Sequence, residues 1–431
     1  MKVGFSKVDI TLPLGTGLAG DFKPRPAVGV LDELYLCCVA ALDGENTFLL
    51  ITVDCLGMRK SFCDEIIDLI SKKTSVKPEN IIINALHQHT SFVLRPKGET
   101  CALEDKCYID VLYRKFCDVA VMAIDDAAES KMFYGTRHLK KDISFVRRYF
   151  MKDGSIKTNP MDPVELIDTY VDEADNDLRL VRFSRDGKKD IFLISFATHA
   201  DVIGGMAISA DWPGLTRRMC SESFDCECIV TNGFEGDCNH IDFLSSPSKI
   251  KGSELVYDMA KTITDTAEEM LEKLMLSENS DVKCSQSVVF VKNRTDGVED
   301  YEICSKIYSD FLKTLKVPKD APIRDLAYLR RVSSIYSDPI YRAIPVSIAK
   351  IGDVLFFGLG GEPFTGYGKA FRARFEGKTV LTLCCANGFE GYLPTLEAYR
   401  QGGYEVTASP FEKELEEICI EKAVEMTNKL I

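Results

Sequence analysis

Apolar runs of strand length alternate with amphipathic stretches of helix length along most of this chain. "ELYLCCVAAL" and "TFLLITVDCLGM" read as buried strands, "KSFCDEIIDLISKK" as an amphipathic helix, "NIIINALH" as another strand and residues 106–130 as a long helix. The second half continues with "DLRLVRFS", "KDIFLISFATHA" and "ECIVTNG" as strands and residues 249–275 as a helix. "SQSVVFVKN", "SIAKIGDVLFFGLGG" and "VLTLCCANG" then read as extended, before a closing helix from about residue 410. This order predicts an α/β fold with mixed β-sheets layered with helices. No internal repeat or low-complexity linker breaks it, so residues 1–431 read as one large domain, with a candidate subdomain seam at 316–324 in "KVPKDAPIRD".

Composition narrows the function classes. A net charge of -13 with no basic cluster argues against a nucleic-acid groove. No run approaches the roughly 20 apolar residues of an integral membrane helix. The N-terminus, "MKVGFSKVDITLP", enters strand-like alternation with no apolar signal core, which predicts a cytoplasmic protein. The sixteen cysteines lie mostly in apolar runs, where a thiol behaves as a small hydrophobe, and no Cys-x-x-Cys pair occurs. The oligomeric state stays open.

Polar residues recur at the ends of the apolar runs: Asp54, His87 and His89, His199, Asp237 and His240, Glu362, and Tyr392. In α/β sheets ligands bind beyond the carboxyl ends of strands, where loops converge, so an active site is expected there. Catalytic zinc commonly takes two histidines and a carboxylate, and His87, His199 and Glu362 supply that set. A metal-free reading stands beside it. His87 and His89 can form a hydrogen-bonded cluster, and Glu362 before a proline can sit in the first turn of the helix "PFTGYGKAFRARF".

Six motifs in order, "VGFSKVDIT", "LHQHTS", "THADVIGGMAISADWPG", "NGFEGDCN", "GGEPF" and "NGFEGYLPTLEAYRQGGYE", resemble the N-terminal catalytic domain of the neutral/alkaline non-lysosomal ceramidase family. The match spans nearly the whole chain. The resemblance implies a single Zn2+ held by His87, His199, Glu362 and Tyr392. It also implies His89 beside the metal, Arg147 (with Arg148 one register away) and Tyr404 as further catalytic residues, and hydrolysis of an N-acyl amide bond. Family members carry Ser in Gly-Asp-x-Ser, whereas this chain has Asn239 there, which cannot serve as a hydroxyl nucleophile. The chain resembles a bacterial member without the family's C-terminal domain.

The expected function is therefore a zinc-dependent amidohydrolase acting on a small-molecule or lipid-like N-acyl substrate, smaller and more polar than ceramide. Two alternatives accompany it: a cysteine-dependent hydrolase using Cys238 and His240, and a non-catalytic metal-binding or scaffold protein with a degenerate site. Asp54, Asp211 and Asp237 are candidates for orienting a ligand histidine. Trp212, the only tryptophan, is a candidate pocket residue, and His138 sits in a charged segment with no assigned role.

Overall fold

The computed structural model describes residues 1–95 and 106–431. A nine-stranded sheet contains β1 (Lys2–Asp9), β2 (Tyr35–Leu42), β3 (Thr47–Val53), β4 (Ile81–Ala85), β5 (Ala128–His138), β6 (Asp177–Arg185), β7 (Ile191–Phe196) and β8 (Glu227–Asn232). Their order is β8, β7, β6, β5, β1, β2, β3, β4, with the short strand Met275–Leu276 alongside β5. A four-stranded sheet follows in the order β9 (Val282–Lys292), β10 (Tyr341–Ile351), β11 (Val354–Leu359), β12 (Thr379–Leu383). The longer helices are α1 (Lys60–Thr74), α2 (Lys106–Asp125), α3 (Asp211–Phe224), α4 (Ser253–Met270), α5 (Tyr301–Thr314), α6 (Leu326–Ser333), α7 (Thr365–Arg374) and α8 (Leu415–Asn428).

The strands are apolar on both faces because each face is covered. Side chains alternate across a strand, so in β3 Phe48 and Leu50 turn toward the second sheet while Leu49, Ile51 and Val53 meet α1 and α2. In β4, Ile82 and the pair Ile81 and Ile83 divide the same way. Farther along the large sheet, α3 and α4 cover Phe192, Ile194 and Val230. The outer face of the small sheet packs Val346 and Phe357 against α7 and α8. The result is four layers: helices, sheet, sheet, helices.

Within the two large sheets three strand pairs are parallel, β3 with β4, β7 with β8, and β11 with β12; α1, α3 and α7 are their crossover helices. The large sheet curls until its edge strands β4 and β8 touch. Asn232, at the end of β8, donates to the carbonyls of Leu86 and Thr198, each at 3.1 Å. Asn84 in β4 donates to the carbonyl of Cys384, just past β12, at 2.5 Å. The carboxyl ends of all three parallel pairs thereby meet.

Sequence and structure differ in places. The helix expected over 106–130 stops at Asp125, and β5 begins at Ala128. Few β5 side chains are fully buried, so its alternation is faint in the sequence. Residues 316–324 connect α5 to α6, a helical pair with a small core of Cys304, Ile307, Leu329 and Val332. This pair is inserted between β9 and β10, which bond from Val282↔Ile351 to Lys292↔Tyr341. Among the described residues, no helix is long and apolar enough to cross a membrane.

Gly4 marks the closest approach of helix to sheet. A Cβ there would lie 1.9 Å from the Ala123 carbonyl oxygen and 2.7 Å from the Ala127 nitrogen, both backbone atoms with little freedom to yield. Gly4→Ala should therefore cost about 1–3 kcal/mol. Urea unfolding of the two proteins checks this; an unchanged midpoint would mean that α2 does not press on β1.

Candidate metal centre

The candidate site lies where the parallel pairs end. His87 follows β4, His199 follows β7, Glu362 follows β11, and Tyr392 lies on the loop after β12. Local pairing fixes their relation. A bridge between Gln88 and Ala200 ties the two histidine loops, and Glu362 pairs with Tyr392 in a two-residue parallel ladder. His87 has φ 65°, a left-handed conformation uncommon outside glycine, and Cys385 beside it has φ 45°. Such strained backbone clusters at functional sites. Gly236 lets the loop after β8 lie against Glu362, whose carbonyl oxygen would be 2.2 Å from a Cβ at that position.

Glu362 Oε2 sits 3.3 Å from His87 Nε2 and 3.4 Å from His199 Nε2. His89 Nε2 is 3.3 Å from His87 Nε2. All but His89 are almost fully buried. Neither Glu362 Oε2 nor His199 Nε2 has a hydrogen-bond partner among the described residues, although buried polar atoms usually do. A tetrahedral ion with bonds of about 2.0–2.1 Å holds its ligand atoms about 3.3 Å apart, which the two distances from Glu362 match. His87, His89 and His199 form one group able to hold a metal, and His199, Glu235 and Glu362 form another. Tyr392 completes the wall: its ring lies stacked 6.4 Å from that of His199, and its hydroxyl accepts from Arg147 Nη2 at 3.1 Å.

The outer nitrogens of the candidate ligands are engaged. His87 Nδ1 faces the Leu56 carbonyl at 2.8 Å. His199 Nδ1 faces the Glu235 carbonyl at 3.0 Å, and Glu235 Oε2 lies 2.5 Å from the same nitrogen. Holding the proton on Nδ1 leaves Nε2 with its lone pair turned inward, as metal-ligating histidines require. Burial alone would lower the pKa of His87, but the carboxylates of Glu362 and Glu235 outweigh it and raise it well above the usual range. Burial likewise opposes ionisation of Glu362, yet His87 and His199 hold its carboxyl well below the usual range. The cluster thus carries an anion that attracts positive charge. Burial lowers His89 to about 3, so it stays neutral at physiological pH.

The remaining sequence candidates have varied positions. Tyr404 is 38 % exposed on the cleft wall, with its ring 5.8 Å from that of Tyr392. Arg147 is buried behind Tyr392, donating to Glu405 at 2.8 Å and to the Gly236 carbonyl at 2.9 Å. Arg148 reaches the Gly402 carbonyl at 2.6 Å. Asn239 donates to Asn159 at 2.7 Å and accepts from the Ile241 N–H at 3.0 Å, so both ends of its amide are used within the protein.

The three aspartates hold scaffold instead of ligand histidines. Asp54 receives Arg217 at 2.6 Å and Gln88 at 2.9 Å; Asp211 accepts from the Val202 and Ile203 N–H groups at 3.0 and 2.8 Å; Asp237 accepts from the Thr365 N–H at 2.8 Å. Glu235 is the residue the sequence reading passed over, although it lies in the quoted "NGFEGDCN". Trp212 is in the core, edge-on to Phe196 at 5.8 Å, and His138 pairs at the surface with Asp142 and Asp177. The Cys238 and His240 pairing is not formed as a catalytic dyad. Cys238 Sγ contacts Thr365 Oγ1 at 2.9 Å, burial raises its thiol pKa well above the usual range, and His240 Nε2 faces the Ile250 carbonyl at 2.7 Å.

A cleft of about 840 Å³ opens from His87, His89, Glu362 and Tyr392 toward α5 and α6. Phe389, whose ring centroid is 5.6 Å from that of His87, forms part of its wall.

The fold has solved counterparts. The whole chain aligns with neutral ceramidase from Pseudomonas aeruginosa at a TM-score of 0.75 and 13% sequence identity, covering 74% of that protein. It aligns equally fully with a ceramidase complexed with C2, at a TM-score of 0.73 and 13% identity, covering 75% of that chain. No family model matches the sequence, and neither does any curated protein. The chain therefore has the neutral ceramidase fold.

If this centre takes zinc and Glu235 orients His199, then Glu235→Gln should weaken zinc binding by about 10–100-fold. Competition with a chromophoric chelator measures this. Undiminished affinity would mean that the Glu235 carbonyl suffices.

Proposed function

We propose that this chain is a zinc-dependent hydrolase of an N-acyl amide bond, or secondarily an ester, acting on a substrate smaller and more polar than ceramide. The observation that carries the proposal is the convergence of His87 Nε2, His199 Nε2 and Glu362 Oε2 at the foot of an open cleft, with two of those buried atoms lacking a hydrogen-bond partner. The neutral ceramidase fold supports the choice of reaction. We take residues 1–431 as one catalytic domain. The described cysteines are all free thiols, which suits a reducing cytoplasm.

His87, His199 and Glu362 would hold the ion, with Tyr392 as the fourth ligand; their nitrogen and oxygen donors suit zinc. Zinc bound there would supply Lewis-acid polarisation of the scissile carbonyl and a water of lowered pKa. The protein's own groups do the remaining work. Glu235 and the Leu56 carbonyl keep both ligand imidazoles in the required tautomer. Arg147 fixes the Tyr392 hydroxyl and favours its ionised form, against burial and Glu362, which hold its pKa high. Burial also raises the pKa of Tyr404, so its O–H remains a donor at neutral pH and can stabilise the oxyanion that develops on the substrate. His89, neutral and adjacent to His87, can position the substrate amide through a hydrogen bond.

Asn239 contributes no nucleophile to this scheme, and its hydrogen bonds to Asn159 and to the Ile241 N–H make it part of the loop framework. The reading with Cys238 as nucleophile loses support from its raised pKa and its contact with Thr365. A degenerate scaffold would have no need of polar atoms left unpaired at the foot of an accessible cleft.

The test is a panel of N-acyl amides, including ceramides and N-acyl sugars, given to zinc-loaded and chelator-stripped protein. Short, polar members should be cleaved by the loaded form alone. Cleavage of long-chain ceramide only, or activity indifferent to chelation, would overturn the proposal. Tyr404→Phe should lower kcat by about 10²–10³ with zinc content unchanged, the usual result of losing one oxyanion donor. Unaltered turnover in this variant would remove Tyr404 from the mechanism.

A further inference from the structure

The chain carries a net charge of -13, yet one wall of the cleft is lined by Arg59, Arg95, Arg330, Arg331 and Arg342. Two of these are neutralised in place. Arg331 is 3.2 Å from Asp296, and Arg342 is 2.7 Å from Asp338 and 3.4 Å from Glu390. Among the described residues no ion pair engages Arg59, Arg95 or Arg330. Arg59 is half-buried, and burial lowers its pKa; Glu390 opposes this, while the charges of Arg95, Arg342 and Arg330 add to it. Cations gathered in a partly desolvated wall repel one another unless an anion joins them.

The position of this wall relative to the candidate metal centre is set by the backbone. The Leu56 carbonyl faces His87 Nδ1, and Arg59 lies three residues farther along the same segment, its N–H bonded to the Leu94 carbonyl at 3.0 Å. Phe389 packs on the His87 ring, and the next residue, Glu390, is the one that meets Arg342. From the inside outward the cleft therefore presents the imidazole and carboxylate cluster, an aromatic wall, and a cationic rim. Guanidinium groups suit such a rim, because their fixed fork of donors matches the paired oxygens of a carboxylate or phosphate.

We infer that the substrate is an anionic N-acyl compound, whose carboxylate or phosphate group is held by Arg59 with Arg95 and Arg330 while its amide reaches the candidate metal centre. This rests on the hydrolase reading above and narrows it. Ceramide, with no charge, would leave the rim unsatisfied.

Calorimetric binding to the zinc-loaded protein tests the inference apart from turnover. The probes are N-butanoylglycine against its neutral amide, and N-butanoylphosphoethanolamine against N-butanoylethanolamine. At least one anionic member should bind about tenfold or more tightly than its neutral partner, the value of one charged hydrogen bond. That preference should shrink as salt rises. Which pair shows it distinguishes a carboxylate from a phosphate. Arg59→Gln should bind both members of the preferred pair alike, with zinc content reporting that the centre is intact; Arg330→Gln, at an exposed position, gives a second readout should the first variant misfold. Equal binding of anionic and neutral members by the unaltered protein, or a preference that survives both substitutions, would overturn the inference. Selective binding without cleavage would instead sink the hydrolase reading and leave the anion site standing.

Discussion

The contact of one buried carboxylate oxygen with two imidazole nitrogens governs this structure. Glu362 Oε2 lies 3.3 and 3.4 Å from His87 and His199, and all three side chains are almost fully buried. An ionised carboxylate in such a place is costly unless positive charge meets it. Without a cation, His87 is drawn toward its protonated form; a divalent ion would answer the same demand without a proton. The surrounding framework serves to keep these atoms together. Asn232 and Asn84 bind the strand ends to one another, and the buried Arg217 and Asp54 pair, through Gln88, steadies the loop between the two histidines.

The architecture explains how residues so distant in sequence meet. A parallel pair needs a crossover helix, and its two carboxyl ends emerge side by side. This fold has three such pairs. Two lie at opposite edges of a sheet that curls on itself, and the third belongs to the sheet packed against it. Each candidate ligand comes from one of these ends, on a short loop anchored to a strand buried on both faces. The outer part of the cleft is lined by the inserted α5 and α6, and α6 adds arginines to a wall whose inner part is aromatic.

Much of this was legible in the sequence, for physical reasons that can be named. Strands covered on both faces read as continuous apolar runs, so β2, β3, β4, β7 and β8 stood out. A polar residue directly after such a run is conspicuous, and this marks His87, His199 and Glu362 independently of any family resemblance. β5 was missed because its half-buried side chains dilute the period of two. Glu235 was missed because the acids Asp237 and Asp54 looked equally suited to orient a histidine, and only the fold shows which carboxylate faces the Nδ1 of His199. The repeated pentapeptide "NGFEG" shows the same limit of sequence: Glu235 turns to a candidate ligand, while Glu390 turns to Arg342. Arg147 is expected among the catalytic residues from the resemblance, and only the fold shows its ion pair with Glu405 and its hydrogen bond to the Tyr392 hydroxyl.

An anomalous diffraction measurement at the zinc absorption edge, on crystals grown from protein purified without chelator, tests the central claim most directly. The account predicts one strong peak in bonding contact with His87 Nε2, His199 Nε2 and Glu362 Oε2, with the Tyr392 hydroxyl completing the set. A clean map with no peak at that position after zinc soaking, or a peak bound elsewhere, would contradict it.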